Sequence, residues 1–152
     1  MVDVSAKQPT KRVAVASAVL RMLPATAEMI RGETAKKGSV LGVARIAAIG
    51  ATKLTQQLIP LCHSIPIESV SVDFQWIDES QTNHSQELRC TVSVSTEGKT
   101  GVEMEAMTAA SIGALTVYDM VKSVDRGLAI GPIVLERKSG GKSGDFVRNT
   151  ES

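Results

Sequence analysis

The sequence predicts an α+β domain, an antiparallel sheet with helices packed against one side. Two runs carry the β prediction. Val70, Val72, Phe74 and Trp76 alternate with Ser71, Asp73 and Gln75, and Leu88, Cys90, Val92 and Val94 alternate with Arg89, Thr91 and Ser93. A period of two marks strands with one face buried and the other wet. The helix prediction rests on the stretch from Val40, where Val43, Ala44, Ala47, Leu54 and Leu58 recur at helical spacing until Pro60 stops the run. A chain of 152 residues, 43% hydrophobic and 22% charged, suits a single domain over residues 1–152.

The elements follow in order. Val13 to Leu20 is Val/Ala-rich and reads as a first strand. Pro24 fits the first turn of a helix that reaches Arg31 and stops at Gly32. Lys36-Lys37-Gly38 is a basic turn. Gly42 and Gly50 either weaken the second helix locally or let a neighbour pack closely. The polar stretch Asp78 to Gln86 joins the two alternating strands as a hairpin loop. A long helix spans about Gly101 to Val124, with Thr100 and Glu103 spaced as a capping box. Ile130 to Leu135, opened by Gly131-Pro132, is the last strand. Residues 138–152, with Ser139-Gly140-Gly141-Lys142-Ser143-Gly144-Asp145, read as a mobile Gly/Lys-rich loop and tail.

Composition narrows the function. A net charge of +1 speaks against holding nucleic acid by bulk charge, and four aromatic residues are too few for a base-stacking platform. No apolar run is long enough for a membrane span, and Met1 to Arg12 lacks the apolar core of a secretory signal. Cys62 and Cys90 lack metal-type spacing and fit a reducing, cytoplasmic setting. With two histidines and no acidic cluster around them, a protein-held metal site is not expected.

Candidate chemistry concentrates on the long helix. With Glu103 set at zero, Lys122, Thr108, Asp119 and Glu105 fall at about 100°, 140°, 160° and 200°. Met104, Ile112 and Leu115 lie in the same arc, which is unusual for a freely solvated face. Asp119 and Lys122 are therefore expected at a partly buried site or a subunit interface, where they could serve as general base and acid. An ordinary i, i+3 salt bridge is the competing reading. His63 follows Pro60-Leu61-Cys62 and precedes Pro66, a rigid frame for one imidazole; a merely satisfied histidine is the alternative. His84, in the polar loop, receives no role. Lys138 and Lys142 flank a glycine-rich turn suited to a phosphate chain, with a disordered tail as the competing reading. Gly141-Lys142-Ser143 imitates the end of a P-loop, but Glu136 stands where that motif needs its first glycine. Lys37, beside Gly38, is a similar phosphate candidate. Lys53 and Lys99 read as surface charges or weak phosphate contacts.

Five segments together resemble the cyclic pyranopterin monophosphate synthase family, also called molybdenum cofactor biosynthesis protein C. They are Met1-Val2-Asp3-Val4-Ser5, Ile59-Pro60-Leu61-Cys62-His63, Gly98 to Ala106, Thr116-Val117-Tyr118-Asp119-Met120 and Lys138 to Asp145. The resemblance implies a ferredoxin-like fold and a cytoplasmic homo-oligomer, a hexamer built as a trimer of dimers with sites at subunit interfaces. It implies conversion of 3′,8-cyclo-7,8-dihydro-GTP to cyclic pyranopterin monophosphate with release of diphosphate. No cofactor is implied beyond Mg²⁺ as a companion of the triphosphate, and no nucleic acid or membrane partner. It makes Asp119, Lys122, Lys37 and Lys138 the catalytic residues. Leu61, Cys62, His63, Met104 and Glu105 match the family's substrate-binding segments, and Glu103, beside them, and Lys142, on charge grounds, are expected to bind substrate as well. A phosphate-binding sensor without chemistry and an oligomeric scaffold are the competing functions.

Overall fold

The computed structural model describes residues 1–77 and 85–149. Most of the predicted hairpin loop, His84 included, lies outside the described residues. The chain runs β1 (Thr10–Met22), α1 (Pro24–Arg31), α2 (Val40–Leu58), β2 (Ser69–Ile77), β3 (Gln86–Gly98), α3 (Glu103–Val121), β4 (Ala129–Ser139) and β5 (Phe146–Val147). The strands form one antiparallel sheet in the order β2-β3-β1-β4-β5. β3 lies between β1 and β2, and β1 lies between β3 and β4, so each helical connection steps over one strand. This is the ferredoxin-like α+β arrangement, with the helices on one side.

Small side chains set the packing on that side. Ala14, Ala16, Ala18 and Leu20 of β1 and Leu88, Cys90, Val92 and Val94 of β3 are completely buried. Against them lie Ala106, Ala109, Ala110 and Ala114 of α3, also completely buried. Alanine facing alanine brings the helix backbone close to the sheet. A Cβ added at Gly113 would stand 3.2 Å from Cys90 Sγ and 3.4 Å from Ala48 Cβ. At Gly113, α2, α3 and the sheet come into close contact. Phe74 and Trp76 flank this core on β2, and the Arg31 guanidinium sits 4.0 Å from the Trp76 ring centroid. Among the described residues, no helix is long and apolar enough to cross a membrane.

Helix ends follow local chemistry, with one correction. Ser39 caps α2 by accepting the Gly42 N–H at 3.3 Å. α1 has Pro24 in its first turn and no side-chain cap of its own at Leu23. Asp125, 3% exposed, supplies one from across the fold, accepting Leu23 N–H at 2.9 Å and Thr26 Oγ–H at 3.1 Å. The capping box expected from Thr100 and Glu103 does not form. The cap position is Val102, with no side-chain hydrogen bond. The Glu103 carboxylate instead lies over Gly101 and meets Lys138 at 3.4 Å.

The register decides which loops meet. Thr10 pairs with Gly98, and Val13 pairs with Ser139. The segment before β1, the loop after β3 and the loop after β4 therefore leave the same end of the sheet, where α3 begins. The opposite end receives the α1–α2 turn and the end of α3. β4 extends beyond the expected Ile130–Leu135 and contains Lys138. Phe146–Val147 return along it as a short strand that the Gly/Ser-rich composition had hidden.

Candidate active site

One cluster sits where α3 ends. Asp119 Oδ1 lies 2.6 Å from Lys122 Nζ, and Asp119 Oδ2 lies 2.8 Å from Lys37 Nζ. Lys37 also donates to the Asp119 carbonyl oxygen at 2.9 Å. The two lysines, first by hydrogen bonding and then by charge, hold the Asp119 carboxyl down at about 2. Asp119 in return raises the proton affinity of Lys122. The partial burial expected for this pair is not found within one chain, where the Asp119 side chain is 54% exposed.

The second cluster sits where α3 starts, around a cavity of about 430 Å³. Leu61, Cys62 and His63 form one wall, and Glu103, Met104 and Glu105 form another. Glu105 is 3% exposed, and burial pushes its carboxyl above the usual carboxylate range, with the charge of Glu103 adding to the rise. Burial and the Glu105 charge likewise raise the Cys62 thiol, so it presents a neutral S–H rather than a nucleophilic thiolate. Cys90 is a core thiol, pushed up to about 12 by burial. His63 Nε2 lies 2.8 Å from the Val2 carbonyl oxygen.

A second hollow of about 590 Å³ carries Lys7, Arg12 and Lys142 in its wall and no carboxylate among the described residues. Lys7 lines both hollows. The glycine-rich loop is folded against β1 here. Gly140 and Gly141 take positive φ of 88° and 81°, and a Cβ on either would run into the Lys11 carbonyl or the Arg12 guanidinium. Asp145 closes the loop by accepting Gly140 N–H at 3.2 Å, and Lys138 donates to Ser143 Oγ at 2.6 Å. Arg12 donates to the Gly98 and Lys99 carbonyls at 2.9 and 3.3 Å, bracing the loop that leads into α3.

The structure thus gathers Leu61, Cys62, His63, Glu103, Met104 and Glu105 in one place, with Lys138 meeting Glu103 beside them. Lys142 lies in the adjoining hollow. Asp119, Lys122 and Lys37 are at the far end of α3, about 24 Å away at 1.5 Å per residue. Sequence reasoning missed Lys7 and Arg12. The signal available was their position just before and within the start of β1, whose strand partner runs into Gly98-Lys99-Thr100-Gly101. No group of three or more His, Cys, Asp or Glu among the described residues is placed to hold a metal ion.

The fold is ferredoxin-like α+β, and two adjoining hollows sit at one end of its sheet, one of them lined by Lys7, Arg12 and Lys142. The chain belongs to the MoaC family, whose model matches residues 1–141. It is 58% identical over 154 residues to a Rhodopirellula baltica protein named cyclic pyranopterin monophosphate synthase, covering 99% of this chain and 88% of that protein.

Proposed function

We propose that this chain is a cytoplasmic enzyme of molybdenum cofactor biosynthesis. It converts 3′,8-cyclo-7,8-dihydro-GTP to cyclic pyranopterin monophosphate and releases diphosphate. The observation that carries the reading is the junction of two unlike hollows through Lys7. One offers His63, Glu105 and a neutral Cys62, suited to the purine-derived base and the sugar. The other offers Lys7, Arg12 and Lys142 without a competing carboxylate, suited to a triphosphate. Mg²⁺ enters with the triphosphate as part of the substrate.

Lys138 and Lys142 neutralise charge that develops on the departing diphosphate. Asp119 and Lys122 move protons during imidazole-ring opening and pterin closure. In the free chain Asp119 is too weak a base for that task, because two lysines hold its charge. A polyphosphate that draws Lys37 or Lys122 towards itself restores the basicity of Asp119 when substrate is in place.

The separation of the two clusters calls for a second subunit. We read the working site as composite, the Asp119 end of one chain meeting the His63 end of another, within a hexamer arranged as a trimer of dimers. Apolar side chains exposed on α2 and α3, among them Val43, Ile46, Leu54, Met104 and Leu115, support such an interface. The test is anaerobic incubation of the protein with the cyclised dihydro-GTP, read by mass spectrometry beside an Asp119→Ala control. Diphosphate and a cyclic pyranopterin are expected from the wild type alone. Substrate that binds but returns unchanged would make the chain a binding module, and its helix-end cluster an ordinary salt bridge.

A further inference from the structure

The segment before β1 is not loose against the pocket. Besides the contact of the Val2 carbonyl with His63, Lys99 Nζ donates to the Ser5 carbonyl at 2.8 Å. Between these anchors, Ser5 N–H donates to Asp3 Oδ1 at 2.8 Å and Lys7 N–H to the Val4 carbonyl at 3.1 Å. The Ser5 hydrogen bonds hold the Asp3 carboxyl below the usual carboxylate range, which keeps it an acceptor. Val2, Val4 and Lys7 line the cavity. Lys99 itself stands on the loop that Arg12 braces. Hydrogen bonds thus tie the segment to the body of the fold at two points, Ser5 through Lys99 and the loop braced by Arg12, and Val2 through His63, with the short backbone between them.

We propose that residues 2–7 are a strap belonging to the catalytic pocket, and that Lys99 is the positioning residue that anchors it so that the Val2 carbonyl fixes the His63 tautomer. A carbonyl oxygen only accepts, so the bonded ring nitrogen must carry the hydrogen. In the neutral ring this leaves Nδ1 with its lone pair as the one free acceptor of the imidazole. The strap also gives a physical role to Asp3 and Ser5, which line neither hollow. The role in turnover rests on the function proposed above, whereas the tautomer does not depend on it.

The test uses the full chain labelled with ¹⁵N-histidine, in a His84→Gln background so that His63 gives the only ring signal. NMR at a pH where the ring is neutral should show the Nε2–H form. Lys99→Met, and separately a chain lacking residues 2–6, should move both ring nitrogens towards the average of the two tautomers. Turnover should fall about three- to tenfold, the worth of one hydrogen bond. Lys99→Arg should restore both. Thermal melting of each variant separates a lost anchor from a lost fold. A mixed tautomer in the intact chain, or an unchanged Nε2–H form in the strapless chain, would overturn the proposal. A shift in the strapless chain alone would remove Lys99 from it. An intact chain with the Nε2–H form and no turnover would instead count against the proposed function.

Discussion

Asp119 and Glu105 share one helix and differ in what surrounds them. Asp119 is exposed between two lysines, which hold its carboxyl down at about 2. Its ion pairs therefore add stability above the ordinary aspartate range, and that stability fades as pH falls towards 2. Glu105 is buried, and its carboxyl is raised. It subtracts stability as pH climbs upward from the ordinary glutamate range, because the folded chain then holds a proton that the unfolded chain has released. The two substitutions should tilt the stability profile at opposite ends. Asp119→Asn should flatten the acid limb between about pH 4 and 2, less so at high salt. Glu105→Gln should raise the melting temperature at neutral pH and leave it nearly unchanged near pH 4. Thermal melts across this range check both. On the function proposed above, this is the stability cost of placing Glu105 beside the substrate.

The helices were legible because punctuation residues bound them. Pro24 and Gly32 frame α1, and apolar spacing from Val40 with the stop at Pro60 marks α2, so the sequence alone finds both within a residue or two. The strands were legible by alternation but reach further than it shows, since β1 continues through Thr10 to Arg12 on hydrogen bonds to β3 rather than on apolar pattern. β5 has two residues and no pattern of its own; pairing with Arg137 and Lys138 creates it. Gly113 shows the limit from the other direction. Within a helix it reads as a weak point, yet the structure uses it as the contact between two helices and the sheet. Gly113→Val should destabilise the fold by about 1–3 kcal/mol through overpacking, despite the gain in helix propensity over glycine. Chemical denaturation measures it. A neutral result would mean that α2 can shift outward to make room.

Across the whole molecule, the sequence marks candidate residues one by one and does not show how they are distributed. Helical angles place Glu105 and Asp119 in one arc, which is correct, but an angle says nothing of distance along the axis. Only the sheet register shows that the pocket end and the Asp119 end face opposite ways. Lys7 and Arg12 lie in a basic segment with no spacing to distinguish them, and Thr10 pairing with Gly98 is what brings them to the site. The length of α3 has a genetic consequence. On the composite-site reading each chain serves two different sites, one through each end of this helix. Two dead variants, His63→Ala and Asp119→Asn, should then rescue each other when mixed and reassembled. In an equal mixture, random pairing joins two undamaged halves at about a quarter of the sites. Recovery of about that fraction of wild-type turnover is expected, while either variant alone stays inactive. Chains that each carry a complete site would show no recovery at any mixing ratio.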